Sequence, residues 1–249
     1  MAEPGMHIES FGSFIEHEQD NYGGRAGNSF GSAFSQLERY LRFLEIIKQR
    51  HDELAETVHV ATEQMMARAR AQTEDGHATT EAEAAAYAQW RDVSVRLQLE
   101  MESFFDFAYI ALTRGAQLVE WYFGPERGFS FVSHKNWSKS AAEYCKKKGL
   151  VVPDELFSTL QRCLDEITEP RSHAVVHGFN PRALHGIQTN ADGTTNRLTI
   201  HAFPTETDTQ SALVPVTGAY TLMNDYVRCF TELITTNRDR RYFSKRRPV

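Results

Sequence analysis

Residues 32–75 contain neither proline nor glycine. A stretch that long without a breaker has few ways to turn, so its apolar spacing decides its conformation. Phe34, Leu37, Leu41, Leu44 and Ile47 recur at intervals of three and four, which places them on one face of a helix. Phe43 and Ile46 widen that stripe, and Leu54, Val58, Met65 and Met66 extend it more weakly. The spacing predicts one long helix that starts near Phe30.

Residues 73–80 (TEDGHATT) read as a turn. Thr80 and Glu83 have capping-box spacing, and alanines follow at once. A second long helix is expected from there to Phe123, where Gly124-Pro125 stops it. Two such helices joined by a short turn form an antiparallel hairpin. Their aromatic-rich ends, residues 30–47 and 104–123, should meet in the main core, with the turn end projecting outward. Residues 104–123 are the most apolar stretch, but Asp106, Arg114 and Glu120 interrupt them. That favours a buried core helix over a membrane span. Its aromatics could line a small-molecule pocket, although core packing accounts for them better. Asp106, between Phe105 and Phe107, either rotates to an exposed face or is a buried carboxylate that orients Arg171 or a histidine.

The remaining elements are shorter. Glycines punctuate residues 1–28, which read as an irregular lead-in. Residues 138–148 form a helix stopped by Gly149. Pro153 and Asp154 open another, with Leu156, Phe157, Leu160, Leu164 and Ile167 on its inner face. Pro170 marks a break and suits the first turn of a new short helix. Residues 182–188 and 197–203 look like strands, joined by the polar TNADGTTN loop. A last helix over 217–236 carries Leu222, Tyr226, Cys229, Phe230 and Leu233. The expected fold is mainly α: a helical bundle with a long antiparallel helix hairpin and a small β-hairpin insertion before the last helix. The expected organisation is an irregular segment at 1–28, one helical domain at 29–237 with the β-hairpin at about 182–203, and a basic tail at 238–249.

With 27 Lys+Arg against 33 Asp+Glu, the chain is not coated in basic charge. Two local patches remain. One joins His134, Lys135, Trp137, Lys139 and Lys146 to Lys148; the other is the tail with Arg238, Arg240, Arg241, Lys245, Arg246 and Arg247. Cations beside aromatics suit phosphate contact and base stacking. The plainer reading of Lys146 to Lys148 is that they complement a helix C-terminus at Gly149. Cys145, Cys163 and Cys229 lack CxxC spacing and read as reduced thiols. The N-terminus has acidic residues where a leader would be basic and then apolar, so a cytoplasmic protein with no membrane partner is expected.

Chemistry concentrates in residues 169–179 (EPRSHAVVHGF). Val175 and Val176 would hold the segment against the core and leave Arg171, Ser172, His173 and His177 at an edge. Histidine titrates near neutrality and can move a proton. Arginine stays charged and can brace a phosphoryl oxygen through two parallel hydrogen bonds. RNA cleavage needs no metal when the substrate's own 2′-hydroxyl attacks, so this pair suits phosphodiester chemistry. Two other readings stand beside it. His173 and His177 have the i,i+4 spacing of zinc ligands, with His185 or His201 as a third, but Ala174 replaces the glutamate of HExxH. Alternatively, Arg171 pairs with Glu166 or Glu169, and His177 caps a helix end beside Gly178.

At Arg171-Ser172-(HAVV)-His177-Gly178-Phe179 the chain resembles the HEPN superfamily, whose motif is an arginine, a polar residue and a histidine after a short spacer. The order of a long helix pair, a helix leading to the motif and a closing helix is also similar, over about 30–236. Ser172 stands where asparagine, aspartate or histidine is more usual, and His173 is the alternative polar position. The resemblance implies homodimers whose two motifs face each other across a shared cleft, and metal-independent endoribonuclease activity in defence or toxin–antitoxin settings. It implies that Arg171 stabilises the phosphate and His177 handles the proton. RNA, a second copy and an antitoxin or other protein would be partners, with no cofactor or metal. The alternative is a non-catalytic helical module that binds RNA or protein.

Overall fold

The computed structural model describes the backbone of residues 25–75, 81–171, 182–189, 195–204 and 213–242, and within these the side chains of 31–65, 81, 84–169, 171 and 216–242. These residues are mainly helical. Helix α1 is Arg25–Asp75, α2 is Glu81–Phe123 and α3 is His134–Lys148. Helix α4, Leu156–Cys163, runs into a π-helical turn, Leu164–Thr168, and a final α-helical turn, α5, Glu169–Arg171. Helix α6 is Val216–Thr236, followed by a 3-10 turn at Arg238–Arg240. Arg182–Thr189, Thr195–Pro204 and Leu213–Pro215 are short extended segments given by backbone course. The capping pair at Thr80 and the intervening turn lie outside the described residues.

Helix α1 begins five residues ahead of the expected start at Phe30, running through Gly27 with no proline to stop it. Helix α2 ends where expected: Gly124 takes φ 85°, a left-handed conformation that a side chain would strain. Helix α3 starts four residues earlier than its apolar pattern showed. Ser133 caps it, its hydroxyl accepting from the Asn136 N–H at 3.3 Å. Gly149, at φ 63°, closes it with its N–H on the Lys146 carbonyl.

The chain divides into two compact units. The first comprises Met1–Glu45, Phe105–Phe179 and Thr217–Val249. Phe34, Leu37, Leu41 and Leu44 of α1 are buried there, as are Phe105, Ala108, Leu112 and Val119 of α2. The aromatic ends meet as expected: the Phe107 ring lies 5.3 Å from Phe43 and 6.0 Å from Tyr40. Phe131 packs edge-on against Trp137 and Tyr144, each at 4.8 Å, and fixes the start of α3. Leu222, Tyr226, Cys229, Phe230 and Leu233 of α6 are all buried. Gly115 of α2 lets Tyr226 come close, since a Cβ there would collide with the phenol.

The second unit comprises Ile46–Phe104 and Asn180–Val216. Its two helical stretches are antiparallel, because Arg50 pairs with Glu100 at 3.6 Å and Trp90 donates to Thr62 at 3.0 Å. Val58, Leu97 and Met101 are buried between them. No described helix is long and apolar enough to cross a membrane.

Along α4 the expected inner face holds at Leu156, Leu160, Leu164 and Ile167, but Phe157 is exposed and Thr159 and Cys163 are buried in its place. Pro170 does not break the chain here. The π turn widens the helix, with the Glu169 N–H bonded to the Leu164 carbonyl five residues back. That register accommodates a residue with no N–H to give.

Candidate functional site

The π turn sets the direction in which α5 delivers Arg171, the last described residue before the segment 172–181. A π turn adds a residue to the helical circuit and so rotates everything after it. Arg171 is thereby brought to α2. Its Nε donates to Asp106 Oδ1 at 2.8 Å, across 65 positions of sequence. Its Cζ lies 4.6 Å from the centroid of the Tyr109 ring, within cation–π range. The arginine side chain is 24% exposed and the aspartate 39%, so the pair sits at the rim rather than in the core. Neither Nη1 nor Nη2 of Arg171 bonds a described residue.

Glu166 and Glu169 are not the partners of Arg171. Glu166 accepts from Arg162 at 3.0 Å, and Glu169 faces Lys135 at 4.0 Å. Both local carboxylates are thus already matched, which leaves the carboxylate of α2 for Arg171. Asp106 is therefore not the buried carboxylate of one expectation: at 39% exposure it lies at the surface, and there it pairs with Arg171.

Ser172, His173 and His177 lie outside the described residues, as do the side chains of His185 and His201. Among the described residues no group of three or more histidine, cysteine, aspartate or glutamate side chains is placed to hold a metal. Lys135 is exposed at the N-terminal end of α3, on the same side as Glu169, and Lys139 is exposed one turn later. Arg238 and Arg240 are exposed on the 3-10 turn and Arg241 is half-buried after it; Lys245, Arg246 and Arg247 lie outside the described residues. Lys146 to Lys148 complete the last turn of α3, where Lys147 meets Glu143 and the Phe129 ring, and Lys148 meets Glu126. Lys147 and Lys148 are thus occupied in structure, and all three sit in the last turn, as their plainer reading has it.

The three cysteines are free and buried. Burial pushes the Cys145 thiol up to about 12 and raises Cys163 and Cys229, so none is a ready nucleophile. Tyr109 was not singled out by sequence. The signal available was its place three residues after Asp106, on the same helical face. Comparison with protein-family models, with curated proteins and with solved structures yields no match.

Proposed function

We propose that this chain is a HEPN-like, metal-independent endoribonuclease in which Arg171 stabilises phosphoryl charge and His177 moves the proton, with Ser172 or His173 as the polar companion. The observation that carries the reading is the state of Arg171. It is a half-buried guanidinium, immediately ahead in sequence of a serine and two histidines, with both Nη groups unengaged by described residues. A guanidinium can brace a phosphoryl oxygen through two parallel N–H groups as charge builds. On this reading the protein acts as a homodimer with two motifs at one cleft, in a defence or toxin–antitoxin context with an antitoxin or other protein partner.

The reading also takes the chain before α6 as a β-hairpin insertion into the helical bundle. Antiparallel backbone pairing of Arg182 with Ala202 and of Thr189 with Thr195 supports it.

The test is cleavage of single-stranded RNA by purified protein in EDTA. Arg171→Ala and His177→Ala are each expected to lower the rate by a factor of about 100 or more while leaving the circular dichroism spectrum unchanged. Undiminished cleavage by either variant overturns the assignment, and loss of wild-type activity in EDTA points to the histidine metal reading.

A second reading is a non-catalytic helical interaction module. The observation favouring it is a groove of about 330 Å³ in the second unit, lined by Val60, Met65, Ala86 and Val93, with Tyr87 and Leu99 exposed on the same pair of helices. A monomer that neither binds nor cleaves RNA would leave that reading standing.

A further inference from the structure

Asp106 and Tyr109 lie one turn apart on α2, so both side chains leave the helix on one face. Arg171 reaches them from a separate element. The 2.8 Å bond from Nε to Asp106 fixes where the inner edge of the guanidinium sits, and the Tyr109 ring, its centroid 4.6 Å from Cζ, limits how the group can swing. An unpaired surface arginine samples many rotamers; one held by a carboxylate and packed on a ring samples few. The grip uses Nε and the π face, and it spares Nη1 and Nη2 among the described residues.

We infer, resting on the reading that Arg171 serves phosphate, that Asp106 and Tyr109 are positioning residues which present the outer Nη edge of Arg171 end-on to a phosphoryl group, the two N–H groups donating to two of its oxygens. Asp106 brings a negative charge close to an anion site, which weakens attraction. Its benefit is therefore orientation, and orientation acts on the turnover step more than on binding. Lysine in place of Arg171 could not be held this way, since it has no planar face and no second donor edge.

The experiment uses the full chain, with arginine side-chain ¹⁵N NMR, an inorganic phosphate titration and cleavage of an end-labelled mixed-sequence RNA. The Arg171 Nε–H is expected as a separate, slowly exchanging resonance that inorganic phosphate shifts. Asp106→Ala and Tyr109→Leu should merge it with the exposed arginines and lower kcat about 10-fold, with KM changed less than about 2-fold. Tyr109→Phe, which keeps the ring face, should restore both the resonance and kcat. A wild-type resonance already averaged with the exposed arginines, one that phosphate leaves unmoved, or full kcat in Asp106→Ala and Tyr109→Leu overturns the inference. Absence of RNA cleavage by the wild type, or full cleavage by Arg171→Ala, overturns the ribonuclease reading instead, and the phosphate titration still decides the clamp.

Discussion

His134 is the first residue of α3 and has no exposed surface. Its Nε2 donates to the Leu160 carbonyl at 3.1 Å, while Nδ1 is buried without a hydrogen bond. Burial, opposed by that one bond, pushes its pKa down to about 4, and the positive end of the helix works in the same direction. The folded state therefore keeps the neutral ring, while the unfolded chain takes up a proton near pH 6.5. Stability is full above that value, falls as the pH drops, and reaches its full loss below the folded pKa, a change of about 3 kcal/mol. Urea midpoints should decline between pH 7 and pH 4, and His134→Gln should flatten that decline. An equal decline in the variant would place the proton uptake elsewhere. Nothing in the spacing of residues 133–148 marks this histidine as buried, and its neighbours Lys135 and Lys139 make it read as part of a basic patch. Its burial depends on Leu160 of α4 and on the Tyr226 ring, 5.9 Å away on α6.

Among the elements, α6 ends in a connection that no local pattern announces. Asn237 is 2% exposed. Its Nδ2 donates to the carbonyls of Val151 and Leu233, and its Oδ1 accepts from the Val151 N–H. One side chain thus caps α6 and satisfies both backbone groups of a residue between α3 and α4. Asn237→Ala removes three hydrogen bonds, two part-buried ones to Val151 and a buried one to the Leu233 carbonyl, a loss of about 2–4 kcal/mol. Asn237→Asp keeps the acceptor but sets a carboxylate oxygen against the Val151 and Leu233 carbonyls at a buried position, so it should lose more stability than Asn237→Ala. Denaturant midpoints of the two variants check the order, and equal midpoints for Asn237→Ala and the wild type would show that the clamp holds nothing. Other element boundaries were legible. Gly124 and Gly149 stop helices for a reason carried by the residue itself, its tolerance of positive φ. The π turn before Pro170 was not, because its wider register becomes visible only in the hydrogen bond from Glu169 to Leu164.

At the scale of the whole molecule, the formal net charge is −6. Among the described residues, cations around the site face carboxylates: Arg171 with Asp106, Lys135 with Glu169, and Arg162 with Glu166. A surface balanced in this way has little long-range pull on a polyanion. RNA bound through the Arg171 edge should therefore release few counterions, and log K against log salt should fall with a slope of about −1 for single strands. A slope several times steeper would place RNA on a basic tract away from Arg171, and truncation after Tyr242 would show whether the tail supplies it. The charge count is open to reading from composition, but its pairing is not.

Which stretches are helical, where several of them stop and most of the faces they bury can be read from residue order alone. Caps, breakers and apolar repeats act over three or four residues, and Phe34, Leu41, Leu160 and Tyr226 are buried where those repeats place them. Residue order also marked Arg171 as a candidate and Asp106 as one of two possibilities. Only the tertiary structure decided that Asp106 and Tyr109 together receive Arg171, that Glu166 and Glu169 are taken by other cations, and that Phe157 yields its inner place to Thr159 and Cys163. Those outcomes depend on helix packing and on one π turn that shifts the register. Partners 65 residues apart are brought together by packing, and no spacing along the chain encodes them.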